Sequence, residues 1–191
     1  AECDETRGNC AGALGVIVDK AEGGAEAAIT AGAAPALVSL LRCEALCKRT
    51  GSWCAHALSV IADEVSGGAE ELIAAGALPA LVSMLLDCGA SESTRNFCAE
   101  ALYIVSDRAE EGGKAALAAG AVPALVALLR SDAISDLTRG NCACALDVIV
   151  RTVEGGAEAA LTAGALPALV ALLRVECASE NAQICSTSAL L

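Results

Sequence analysis

The segment Ala31-Gly32-Ala33-Ala34-Pro35-Ala36-Leu37-Val38-Ser39-Leu40-Leu41 decides how the whole chain is read, because near-copies of it begin at Ala75, Ala119 and Ala163. Its proline recurs as Pro35, Pro79, Pro123 and Pro167, a spacing of 44 residues each time. A second signature, Cys-Ala-x-Ala-Leu-x-Val/Ile, begins at Cys10, Cys54, Cys98 and Cys142 with the same spacing. Ala189 and Leu190 continue that register, with Ser186 in place of the cysteine. Self-similarity at a fixed period of this length marks a solenoid of stacked units.

Each copy predicts three helical segments. Glycine pairs (Gly23-Gly24, Gly67-Gly68, Gly155-Gly156) break the chain, and a short Ala/Glu-rich helix then runs to Gly32, which suits a left-handed helix terminus. Pro35 fits the first turn of a second helix, where its missing N–H costs nothing, and Leu37, Leu40 and Leu41 form that helix's buried stripe. A polar stretch, Glu44 to Gly51, leads to a third helix expected over 51–65. At 100° per residue, Cys54, Ala57, Leu58, Ile61 and Val65 share its buried face, while His56, Ser59, Asp63 and Glu64 share the other. The buried set is nearly identical among copies. The opposite set differs: His56 answers to Gly12, Glu100 and Cys144, and Ser59 to Gly15, Tyr103 and Asp147.

Composition narrows the function classes. The 191 residues carry Lys+Arg 12 against Asp+Glu 24, a formal charge of -12, which argues against a phosphate-backbone partner. Apolar residues make up 55% and aromatic ones 2%, too apolar for a disordered chain. His56 is the single histidine, which leaves little for acid/base or metal chemistry, so no catalytic residue, metal ligand or cofactor is expected. Charge-free stretches such as 115–129 are too short to span a membrane and contain Gly120 and Pro123, so no membrane insertion is expected. No signal peptide is visible, and the start at Ala1 suggests a fragment. Of the eleven cysteines, Cys10, Cys54, Cys98 and Cys142 fall at one core position, as small hydrophobes stacked too far apart for disulfides. Cys43 and Cys47 lack a second pair of the kind that structural zinc requires, and Cys88 and Cys177 lie in other connecting segments. Unpaired thiols suit a reducing compartment, hence a cytoplasmic or nuclear setting.

The blocks Ala75 to Val82 (Ala-Gly-Ala-Leu-Pro-Ala-Leu-Val) and Cys54 to Ala62 (Cys-Ala-His-Ala-Leu-Ser-Val-Ile-Ala) resemble the armadillo repeat family, and the resemblance covers essentially the whole chain. It implies an all-α, right-handed superhelical solenoid of three-helix units, whose third helices line a concave groove for extended peptide segments. Residues 1–22 are then the third helix of a preceding unit, 23–66, 67–110 and 111–154 are full units, and 155–191 an incomplete one. In the nuclear-import members the third helix presents a Trp and, four residues later, an Asn that clamps the ligand backbone. Here those positions hold Gly12, His56, Glu100 and Cys144, and Val16, Val60, Ile104 and Val148. The asparagine ladder is absent, so the scaffold is implied without that clamp.

Third helices stacked about 10 Å apart form a strip on the order of 30 Å, enough for roughly ten extended residues at about 3.3 Å each. Regular contacts on such a strip suit recognition of a segment and do not converge on one reacting atom. The expectation is therefore a non-enzymatic scaffold, a monomeric fragment of a longer array, binding an extended or helical protein segment. The expected partner-facing residues are Trp53, His56, Ser59, Asp63, Phe97, Glu100, Tyr103, Asp107, Cys144 and Asp147. Among them Trp53 and Phe97 are near enough to the helix start to be packed instead. Asp19, Asp63 and Asp107 recur at one position as an acidic strip suited to a basic partner, broken by Arg151. Val16, Val60, Ile104 and Val148 are expected to cover the core margin. Two alternatives stay open: the substrate-recognition region of a larger enzyme such as a ubiquitin ligase, and a purely structural spacer.

Overall fold

The computed structural model describes residues 2–43 and 47–174, and among them the chain forms twelve α-helices and no strand. In order these are α1 (Glu2–Lys20), α2 (Gly24–Thr30), α3 (Ala33–Leu41), α4 (Lys48–Glu64), α5 (Gly68–Ala74), α6 (Ala77–Leu86), α7 (Glu92–Arg108), α8 (Gly112–Ala118), α9 (Ala121–Leu129), α10 (Asp136–Thr152), α11 (Gly156–Ala163) and α12 (Ala165–Leu173). The long helices α1, α4, α7 and α10 pack side by side in one row, and α3, α6, α9 and α12 in another. The short helices α2, α5, α8 and α11 brace the two rows. The readings of Ala189, Leu190, Ser186 and Cys177 lie outside the described residues.

The junction between first and second helix has one geometry throughout. Gly32, Gly76, Gly120 and Gly164 hold φ of 75°, 68°, 79° and 75°, and the helices on either side bend by 79–82°. Only glycine enters that left-handed region cheaply. The third residue of each following helix is a proline, within the first turn where N–H groups have no intrahelical acceptor. The glycine pairs before the first helices divide their labour. A Cβ on Gly24, Gly68, Gly112 or Gly156 would lie within 2.4 Å of a carbonyl oxygen of the preceding long helix. The glycine before it is needed only for its positive φ. In the third unit that residue is Glu111, and the backbone there settles at φ −98° instead.

The long helices begin earlier than the hydrophobic pattern alone predicts. α4 starts at Lys48 rather than at Gly51, because Cys47 caps it: the Thr50 amide donates to Cys47 Sγ at 3.4 Å. Ser91 and Ser135 cap α7 and α10 in the same way, accepting from the Thr94 and Thr138 amides at 3.1 and 3.2 Å. A side-chain acceptor at this position satisfies an otherwise orphaned donor.

Cys54, Ala57, Leu58 and Ile61 are fully buried, as are Leu37, Leu81, Leu102, Leu125 and Leu146. Burial pushes the Cys54 and Cys142 thiols up to about 12 and raises that of Cys98 as well. Three core expectations are corrected. Leu40 is only half-buried at the edge of the α3 stripe. Cys10 is exposed, because among the described residues no first and second helix cover that face of α1. Val65 is only half-buried, since it ends α4 in extended backbone. Arginines tie successive units together: Arg42 Nη2 donates to the Gly76 carbonyl at 2.8 Å, and Arg130 Nη2 to that of Gly164 at 2.6 Å.

Candidate functional site

Along the row of long helices, the variable positions of one helix meet those of the next. Trp53 on α4 lies over Gly12 and Gly15 of α1, with ring atoms 3.3 and 3.1 Å from where Cβ atoms on those glycines would stand. One step along, the His56 and Phe97 rings stack obliquely, with centroids 4.6 Å apart and planes 44° apart. Trp53 and His56 centroids are 6.3 Å apart, so the three rings run across α4 and onto α7. Trp53, Phe97 and Tyr103 are all half-buried and pack against the core.

Between α4 and α7 the surface sinks into a pocket of about 160 Å³ lined by His56, Ser59, Val60, Asp63, Glu64, Phe97, Glu100 and Ile104. Here the structure brings together five of the ten expected residues: His56, Ser59, Asp63, Phe97 and Glu100. Glu100 is half-buried. Burial pushes its carboxyl above the usual range and the Asp63 charge adds to this, while the Ser59 hydroxyl and His56 oppose it. The Arg108 guanidinium grips Asp63 at both its carboxylate and its backbone carbonyl. Glu64 and Asp107 remain exposed.

Three expected residues are placed differently. Ser59 is only 2% exposed, its hydroxyl donating to the His56 carbonyl at 2.8 Å, with Phe97 and Glu100 over the same pocket. Asp147 is 5% exposed and accepts from Arg151 Nε at 2.9 Å, one helical turn on; its Oδ1 is buried with no hydrogen-bond partner among the described residues. Arg151 therefore folds back onto its own helix instead of merely interrupting an acidic strip. Cys144 is half-buried and its sulfur is in a disulfide, so it offers that face no thiol. Ile104 and Val148 are buried and Val60 half-buried, at the core margin as expected, whereas Val16 on α1 is 46% exposed.

Three features escaped the sequence reading: the glycine seat under Trp53, the Arg108 grip on Asp63, and the Cys/Ser-x-x-Thr caps. The caps were visible as Cys47-x-x-Thr50, Ser91-x-x-Thr94 and Ser135-x-x-Thr138. The other two need knowledge of which residues on neighbouring helices meet.

Two parallel rows of helices, braced by short ones, make the molecule a helical-repeat solenoid. No protein-family model matches the sequence, and no curated protein does. Solved structures do. Computationally designed armadillo repeat proteins for modular peptide recognition are similar, with a TM-score of 0.82, 27% identity, and coverage of 95% of this chain and 73% of that one. A designed armadillo repeat protein in complex with the peptide (KR)4 matches at a TM-score of 0.77 and 28% identity, over 93% and 71% of the two chains. An engineered protein matches at 0.83 and 28%, over 98% and 74%. The chain thus has the armadillo-like repeat fold.

Proposed function

We propose that this chain is a protein-binding scaffold that holds an extended, basic segment of a partner along the face of α1, α4, α7 and α10. The observation that carries the reading is the pocket between α4 and α7. It joins the His56–Phe97 ring pair to three carboxylates, Asp63, Glu64 and Glu100, of which only Asp63 has an arginine partner among the described residues. A half-buried carboxylate whose charged form is disfavoured gains from a cation brought beside it, and rings next to it favour an arginine or lysine stem. The designed armadillo repeat protein in complex with (KR)4 lends support from the same fold. The net charge of -12 would speed association with a basic segment and make it salt-sensitive.

Fluorescence anisotropy with labelled peptides of equal length, one alternating Lys and Arg, one uncharged and one acidic, tests this. The basic peptide should bind, weaken with added salt, and lose about tenfold in affinity for His56→Ala or Glu100→Ala, as central interface truncations do. Unchanged affinity in both variants, with loss on substituting residues in the connecting loops, would place binding elsewhere.

A further inference from the structure

Cys47 stands where α7 and α10 use serine, Ser91 and Ser135. Ser91 and Ser135 show that an oxygen performs this cap fully, at 3.1 and 3.2 Å from the threonine amide. The sulfur of Cys47 is thus not required by the helix. It lies 2.8 Å from the Thr50 hydroxyl as well as accepting from the Thr50 amide, and its side chain is exposed. Those bonds from Thr50, hydroxyl first and amide second, hold the thiol below its ordinary range against slight burial, with Arg49 adding to the effect. Cys54, two turns further along the same helix, is its opposite: fully buried and locked as a thiol.

A second sulfur borders the same space. A cavity of about 300 Å³ between the first and second units is lined by Cys43 and Cys47 together with Arg42, Lys48, Met84 and Thr94. Both cysteines are free thiols. A disulfide needs Cα atoms roughly 4.4–6.8 Å apart, and both cysteines border this one space.

We propose that Cys47 and Cys43 form a peroxide-sensitive dithiol, with Cys47 the attacking and Cys43 the resolving residue. The Cys47 thiolate attacks one oxygen of hydrogen peroxide; the O–O bond breaks and hydroxide leaves, so sulfur is oxidised to the sulfenic acid as the peroxide is reduced. The Cys43 sulfur then attacks Cys47 Sγ. The S–S bond forms, the S–O bond breaks, and water departs with the Cys43 proton. The product fastens the end of α3 to the cap of α4.

The test uses the full chain, fully reduced, then either alkylated at neutral pH or treated with hydrogen peroxide and mapped by mass spectrometry. Cys47 should be alkylated about tenfold faster than Cys88, an exposed free thiol to which no described residue donates in this way. Peroxide should yield a Cys43–Cys47 crosslink that dithiothreitol reverses, and Cys43→Ser should leave a dimedone-trappable sulfenic acid at Cys47. Cys47→Ser installs the cap that α7 and α10 already use, so it should keep the melting temperature while sparing Cys43 from peroxide. The proposal fails if Cys47 reacts no faster than Cys88, if Cys43 is oxidised equally in Cys47→Ser, or if Cys47 pairs with another cysteine.

Discussion

The Trp53 indole nitrogen lies 3.3 Å from where a Cβ on Gly12 would stand, on the neighbouring helix. The largest residue of the variable set thus sits on the smallest, and Gly15 completes the seat from one turn away. In the next joint Phe97, smaller than Trp53, meets His56, with Ser59 in the position of Gly15. In the one after, Asn141 takes the aromatic position, and the facing positions are filled by Glu100 and Tyr103. As one side of the joint shrinks the other grows, which is how close-packed interfaces tolerate variation.

This matching predicts a non-additive pair. Gly15→Leu should cost about 1–3 kcal/mol, the usual penalty of overpacking, because it drives side-chain atoms into the Trp53 ring. In a Trp53→Leu background the same substitution should cost much less. Denaturant melts of the double-mutant cycle measure the coupling; equal costs in both backgrounds would mean that the two residues do not share a seat.

The arginine ties predict a gain. Arg42 and Arg130 each donate to the glycine carbonyl that ends the next unit's first helix, but the unit between them has Leu86 at that place, 59% exposed and without a donor. Leu86→Arg should let the guanidinium reach the Gly120 carbonyl and stabilise the chain by about 0.3–1 kcal/mol, as cations at helix C-termini do. The readout is the thermal midpoint, which should rise; an unchanged or lowered midpoint would show that these ties contribute nothing.

Glu92 predicts acid sensitivity. Its Oε1 accepts from the Ser135 amide at 2.8 Å and the Thr138 hydroxyl at 2.7 Å, linking α7 to the start of α10. Burial pushes this carboxyl up, but the bonds from Thr138 and Ser135, helped by Arg95, outweigh it and leave it below the usual range. A carboxyl held lower in the folded chain contributes stability that is complete above the ordinary carboxylate range and is lost as pH falls through the depressed value. Glu92→Gln should therefore be less stable than the parent at neutral pH, and the difference should close in acid. Parallel pH–stability curves for the two proteins would contradict this.

Glu100 predicts the reverse sign. Burial first, and Asp63 second, raise its carboxyl in the folded chain, so its ionisation disfavours folding as pH rises through the raised value. Glu100→Gln should be more stable than the parent at neutral pH and equal to it in acid, while binding the basic peptide less well. Urea titrations at two pH values check the first part and anisotropy the second. A variant destabilised at neutral pH would show that the ionised carboxylate supports the fold.

The repeated glycines and prolines made the helices and their bends legible, because each answers to a local backbone demand. Gly32 needs its positive φ and Pro35 its place in a first turn, whatever surrounds them. The variable face was legible only in part. Differences among Gly12, His56 and Glu100 point, in sequence, to a surface turned towards a partner; in the structure the first two also answer to Trp53 and Phe97. Ser59 and Asp147 fall on the exposed side of a single-helix wheel, which cannot show what the next helix lays over them. Exposed Cys10 is the same failure in the other direction, since its equivalence to Cys54 in sequence does not supply the helices that cover Cys54.

Matched joints also bear on how such an array can change over generations. Near-identical copies in tandem invite unequal recombination, which deletes or duplicates whole units while preserving their reading frame. Here a duplication that set a second copy of α4 after α7 would bring Trp53 against Glu100 and Tyr103 in place of two glycines, and leave a bulky ring with nowhere to lie. The order of the units is written into their contacts, and shuffled descendants would be culled by misfolding before any ligand could judge them.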